Sequence, residues 1–167
     1  LDGAVINEKI NGQAGQNTLD LSNYTTALEI ILSGLGTLHG FAGTLAAIPS
    51  GFDNFDKIMA SAAAGSTLRG YNGNAQWVLN NNEGTYTNIA SGISLAFSGF
   101  NILGGSADDT FRIVEGSIFA GKINGGEGDN LLTYDGYGTP VQVRIKTVDA
   151  SGLIGSGTGM TGTFANI

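Results

Sequence analysis

Two short runs hold the acidic side chains that could act together: Gly104-Gly-Ser-Ala-Asp-Asp-Thr-Phe111 and, 21 residues on, Gly125-Gly-Glu-Gly-Asp-Asn-Leu-Leu132. At that offset Asp108 is matched by Asp129 and Asp109 by Asn130, with Glu127 and Asp135 near in sequence. Carboxylates stacked one strand apart repel unless water or a cation lies between them, and oxygen-rich turns suit a hard ion such as Ca²⁺. Asp108, Asp109, Asp129 and Asn130 are therefore the candidate calcium ligands. The competing reading has the acids splayed into water while Asn130 and Asn17 hydrogen-bond their own turns, as Asx residues do. A calcium site needs about six oxygens, and few carboxylates are at hand.

Other chemistry has less to build on. A polysaccharide-cleaving site would need paired acids, or acids beside a cation, on one groove. Asp108, Asp109, Asp129 and Arg112 are the only local set, and alternation through Phe111-Arg112-Ile113 puts Arg112 on an outer face. His39, the one histidine, has no cysteine or second histidine to complete a zinc site or a triad. Trp77, Tyr86 and Tyr137 could offer stacking platforms to a sugar or could fill a core. No catalytic residue is assigned, and the chain is read as a non-enzyme.

Composition frames these elements. The 167 residues include 28 glycines, two prolines and no cysteine, so tight turns outnumber long helices and disulfides are excluded. Seven basic residues face 14 acidic ones, with no basic run to grip a phosphate backbone, and nucleic acid is not expected as a partner. No apolar run is long enough for a spanning helix, and membrane insertion is not expected either. The chain opens on Leu1-Asp-Gly-Ala rather than on methionine, which reads as a piece of a longer protein.

Self-similarity organises the whole length. Lys9–Leu32 aligns without a gap on Lys122–Ile145, with nine of 24 positions identical at an offset of 113, and Leu1–Val5 falls on Val114–Ile118. The domain reading is one unit over 1–167: a first cycle of about 110 residues over 1–113 and the start of a second over 114–167. A second mark, Phe-x-x-Ile/Leu, recurs at Phe55, Phe100 and Phe164. Runs such as Ile93–Phe97, Thr110–Ile113, Leu131–Tyr134 and Val141–Ile145 alternate with period two between Gly/Asn/Asp clusters, the signature of strands. Thr26–Leu32 could be helical by propensity, but its repeat partner contains Pro140, so both copies are read as strand. The alanine-rich run Asp56–Ala64 leaves room for a helical turn on the surface. An offset of 21 stacks Ile102 on Ile123 and Phe111 on Leu132. The fold expected is all-β, a right-handed parallel β-helix (β-solenoid) of about seven to eight coils, roughly 35 to 40 Å long.

The runs Lys122–Val143, Phe100–Phe111 and Trp77–Tyr86 together resemble repeat regions of very large bacterial surface and secreted adhesins of the filamentous-haemagglutinin-like kind. The resemblance covers essentially the whole chain, but its motifs are structural. It implies an exported β-helical stalk, extracellular or at the cell surface, in adhesion or cell-cell contact. Expected partners are other segments of the same giant chain, with cell-surface glycans or proteins beyond them. The glycine loops also resemble degenerate repeats-in-toxin nonapeptides, GGxGxDx(apolar)x, whose aspartates bind calcium between turns. Gly104, Gly105, Asp109 and Phe111 match that pattern, whereas Asn130 stands where the second copy needs aspartate. That implies a calcium-binding module as the alternative, with a carbohydrate-binding or polysaccharide-degrading β-helix as the second alternative.

Overall fold

The structure, a computed structural model, describes residues 2–167. Among the described residues seventeen strands form two facing sheets, and one 3-10 turn lies outside them. In chain order the strands are β1 (Ile10–Asn11), β2 (Thr18–Leu21), β3 (Glu29–Leu35), β4 (Phe41–Leu45), β5 (Ile48–Phe55), β6 (Lys57–Ala60), β7 (Thr67–Arg69), β8 (Ala75–Asn80) and β9 (Glu83–Asn88). They continue as β10 (Ser94–Ser98), β11 (Asn101–Leu103), β12 (Asp109–Ile113), β13 (Ile123–Asn124), β14 (Leu131–Thr133), β15 (Val143–Asp149), β16 (Gly152–Gly157) and β17 (Phe164–Ala165). The first sheet runs β1-β5-β4-β3-β7-β11-β13-β17-β16-β15, and the second runs β14-β12-β8-β9-β10-β6-β2.

Period-two alternation sends one set of side chains between the sheets. Trp77 and Leu79 of β8, Leu95 and Phe97 of β10, and Phe111 and Ile113 of β12 are all buried there. Trp77 sits at the centre of an aromatic column, with ring centroids 4.5 Å from Tyr86, 5.7 Å from Phe97 and 6.0 Å from Phe111. Trp77 and Tyr86 are therefore core residues rather than exposed platforms. Of Thr26–Leu32 only Glu29–Leu32 is strand, the start of β3, with Thr26–Leu28 leading in outside it, and the alanine-rich run divides into β6 and a 3-10 turn at Ala62–Ala64, closed by Gly65 in the left-handed region.

The solenoid holds, but its coil count does not: the chain makes about four turns rather than seven to eight. The difference comes from antiparallel meanders. After β2 the chain overshoots to β3, which pairs in parallel with β7, and returns through antiparallel β4 and β5 until β5 lies parallel to β1. The second sheet repeats the manoeuvre: β8 pairs in parallel with β12, and β9 leads back to β10 beside β6. Each meander places three strands in one sheet where a simple coil would place one. Strand alternation has the same period in parallel and antiparallel pairs, so the sequence pattern is silent on which is formed.

The 113-residue repeat is equally present in space. β13–β17 retrace β1–β5 strand for strand: Ile123 pairs with Phe164 as Ile10 pairs with Phe52, and Gly155 pairs with Phe164 as Gly43 pairs with Phe52. Phe164 thus takes the place of Phe52 rather than of Phe55, because one residue is dropped within the second meander. Moving from β1 to β13 advances six strand positions, about 29 Å at 4.8 Å per strand.

Candidate functional site

The 21-residue stacking of the two glycine runs is realised in the backbone. Ile102 pairs with Ile123 and Phe111 with Leu132, which brings the turn after β11 directly beside the turn after β13. Gly104 has no room for a Cβ, since one would meet the Gly125 carbonyl; at Gly125 one would meet the Asn166 carbonyl and at Gly12 the Asn54 carbonyl. A column of glycines lets these turns stack at strand spacing.

Asp108, Asp109, Asp129 and Asn130 all lie at this corner but point to different partners. Asn130 Oδ1 accepts from the Asp109 N–H at 3.0 Å, and Asp108 Oδ1 accepts from the Asp129 N–H at 2.9 Å. Asp109 turns inward with Phe111 and Ile113 and is only 2% exposed. Its Oδ1 accepts from the Ala75 N–H at 3.0 Å and its Oδ2 from the Gly105 N–H at 3.2 Å. Burial pushes the Asp109 carboxyl up to about 6, against the pull of those two N–H groups and of the nearby Trp77 indole, while Asp108 adds like-charge repulsion. The indole Nε1 faces this carboxylate without completing a hydrogen bond. The buried carboxylate in turn pushes the Tyr86 hydroxyl upward, although desolvation of the phenol is the larger cause.

The fit to calcium is poor. Both Asp109 oxygens are committed to N–H donors, Asp108 and Asp129 are exposed, and among the described residues no three acidic or histidine side chains gather where a metal could sit. The corner forms an Asx ladder: Asn130 and Asp109 each receive the first strand N–H of the level below, from Asp109 and Ala75, while Asp108 receives the Asp129 N–H from the level above. Asp56 Oδ2 serves the Asn17 N–H at 2.9 Å in the same manner. Arg112 lies on the opposite face of β12 from Asp109, so the acid-and-cation set does not assemble.

A second polar node escaped sequence reasoning. Asp53 and Asn54 are buried at the end of β5, 2% and 0% exposed. Asn54 sits in the left-handed region at φ 64° and donates from Nδ2 to Asn11 Oδ1 at 2.8 Å, while its own Oδ1 accepts from the Leu38 N–H at 2.8 Å. Asn17 Nδ2 donates to the Asn54 carbonyl at 3.0 Å. Asn166, at φ 54°, repeats this: it donates to Asn124 Oδ1 at 2.8 Å and its carbonyl accepts from Asn130 Nδ2 at 3.1 Å. The staple therefore recurs once per cycle. Burial opposes the charge on Asp53, but the Thr37 N–H, Lys9 and the Thr37 hydroxyl hold its carboxyl below the ordinary range. His39 bridges the Asp56 carboxylate at 3.0 Å and the Gln13 carbonyl at 2.6 Å, and the Asp56 bond leads in raising its pKa. Asn11, Asn17, Asn124 and Asn130 are visible in the repeat, but Asn54 is 43 residues from Asn11, and no local pattern marks it.

Tyr137 is half-buried and donates to the Val114 carbonyl at 3.1 Å, whereas its counterpart Tyr24 donates to the Ala4 carbonyl at 3.4 Å. Asp2 and Glu115, 113 residues apart, cap the turns beside these tyrosines through Thr25 and Thr139 respectively. Recurrence there follows turn geometry. Among the described residues no helix is long and apolar enough to cross a membrane. No family model, curated protein or solved structure matches the chain.

Proposed function

We propose that this chain is a stalk segment: a right-handed β-solenoid repeat of an exported bacterial surface protein that sets reach and stiffness in adhesion or cell-cell contact. The observation that carries this reading is the strand-by-strand recurrence of β1–β5 in β13–β17, with the same asparagine staples and the same capped turns. A unit whose strands, caps and glycine column repeat along one axis has its residues committed to stacking, as in solenoids whose units contact mainly their neighbours. The polar groups of the corner and of the capped turns support the same view, since each hydrogen-bonds a backbone turn. Its partners are other segments of the parent chain, with cell-surface glycans or proteins met elsewhere along that chain; neither nucleic acid nor a bilayer is among them.

Two, three and four tandem repeats placed beneath one fixed binding tip on a cell surface test this. Small-angle scattering should show the longest dimension growing by about 29 Å per repeat, and cells should attach across wider gaps with the tip's specificity unchanged. Tandems that collapse, or specificity that follows the repeats instead of the tip, would sink the stalk reading.

A further inference from the structure

The two sheets end unevenly. Beyond β13 and β14 the first sheet continues for three more strands, β17, β16 and β15, while the second sheet stops at β14. In the first cycle the counterparts β5, β4 and β3 are laid outward from β1 in the same order, and there the second sheet lays β6, β10 and β9 outward from β2 to face them. Phe41 of β4 meets Tyr86 of β9 across that interface, ring centroids 5.3 Å apart.

The residues record the missing cover. Ile30, Leu32 and Phe41 are 0%, 3% and 0% exposed, whereas their counterparts Val143, Ile145 and Leu153 are 49%, 43% and 36% exposed. The apolar pattern of the covered face has been kept on an uncovered one, and β15 offers a free strand edge beside it. An open edge next to an exposed apolar face is a surface built for pairing.

We propose that β15–β17 form a tongue that receives the β6–β10 block of another repeat in tandem, so that consecutive repeats interlock over three strand positions instead of meeting at flush ends. The inference rests on the stalk reading and adds the joint to it. The occupant is specified by the first cycle: a strand like β6 extends the second sheet from β14, strands like β10 and β9 cover Ile145 and Val143, and a strand like β7 pairs with the β15 edge as β7 pairs with β3. A staggered joint has no single plane at which only one sheet edge must part, so bending or pulling has to strip three strands together.

The test extends the full chain after Ile167 with a second copy of Asp56–Ile113, Ile167 standing where Phe55 stands in the first cycle. Hydrogen exchange at the β15 amides should slow on the order of a hundredfold in the extended chain relative to 1–167. Val143→Asp should leave the melting of 1–167 unchanged and lower that of the extended chain by several degrees, as Ile30→Asp does in both. The proposal is overturned if β15 exchanges equally fast in both chains, if Val143→Asp is harmless in both, or if 1–167 alone forms a dimer that buries Val143. A joint that forms in a tandem that fails to hold cells at a distance would refute the stalk reading and leave the joint standing.

Discussion

A buried carboxylate whose pKa is raised makes stability depend on pH in a direction opposite to that of most acids. Asp109 is held at about 6 against an ordinary value of 3.8, so between these values the folded chain binds more protons than the unfolded one. Stability is therefore full below about pH 4, falls as pH rises toward 6, and levels off above; the gap corresponds to about 3 kcal/mol. Asp109→Asn removes the charge but leaves the Gly105 N–H without its acceptor, a loss of about 1 kcal/mol. The variant should accordingly be more stable than the parent by about 2 kcal/mol at pH 7 and less stable by about 1 kcal/mol at pH 4. Leu103→Asn added to Asp109→Asn should recover that last increment. In the next level Asn124, which pairs with Leu103, accepts from the Gly126 N–H at 3.0 Å, and an asparagine at 103 would do the same for Gly105. Urea unfolding at half-unit steps from pH 4 to 7.5 measures all of this. His39, whose raised pKa also favours the folded state at lower pH, is separated by running the series in His39→Gln. A parent chain whose stability is flat from pH 4.5 to 7, or an Asp109→Asn variant that keeps the parent slope, would refute the reasoning.

Other substitutions and conditions probe the corner and the staple. Gly104→Ala drives a methyl into the Gly125 carbonyl, so the β11 and β13 turns cannot stack, and circular dichroism should show a melt lowered by well over 5 °C, whereas Gly116→Ala, with open space around it, should cost only the strain of its positive φ. Asn54→Ala strips the acceptor from the Leu38 N–H and the donor to Asn11 and strains a left-handed position; chemical unfolding should show a loss of about 3 kcal/mol, with Asn54→Gly recovering only the backbone part. Millimolar Ca²⁺ added after chelation should move the melting midpoint by less than about 1 °C, because the Asp109 oxygens are already engaged by N–H donors; a large rise would establish metal binding at the Asp108 and Asp129 turns.

Strand character, the 113-residue cycle and the 21-residue register could all be read directly from the chain. They are periodic properties, and a stacked fold converts sequence period into spatial register: Ile102 over Ile123 and Phe111 over Leu132 follow from one offset. Asn17 and Asn130 bonding their own turns was legible for the same reason, since the bonds are local. What only the tertiary structure decided is non-periodic. Alternation is blind to strand direction, so the meanders β3–β5 and β8–β10 and the resulting four turns depended on which edges were free to pair. Alternation that sends Arg112 outward also sets Asp109 on the face of Phe111 and Ile113, but the partner that holds its carboxylate there could not be read from the chain, because Ala75, its second-strand donor, lies 34 residues away. The Asn54 staple spans 43 residues to Asn11, and the bare face of β15 is apolar in a pattern identical to a covered one. A sequence specifies which side chains seek burial and at what spacing; which strand arrives to bury them is settled by chain connectivity and by the stacking of neighbouring levels.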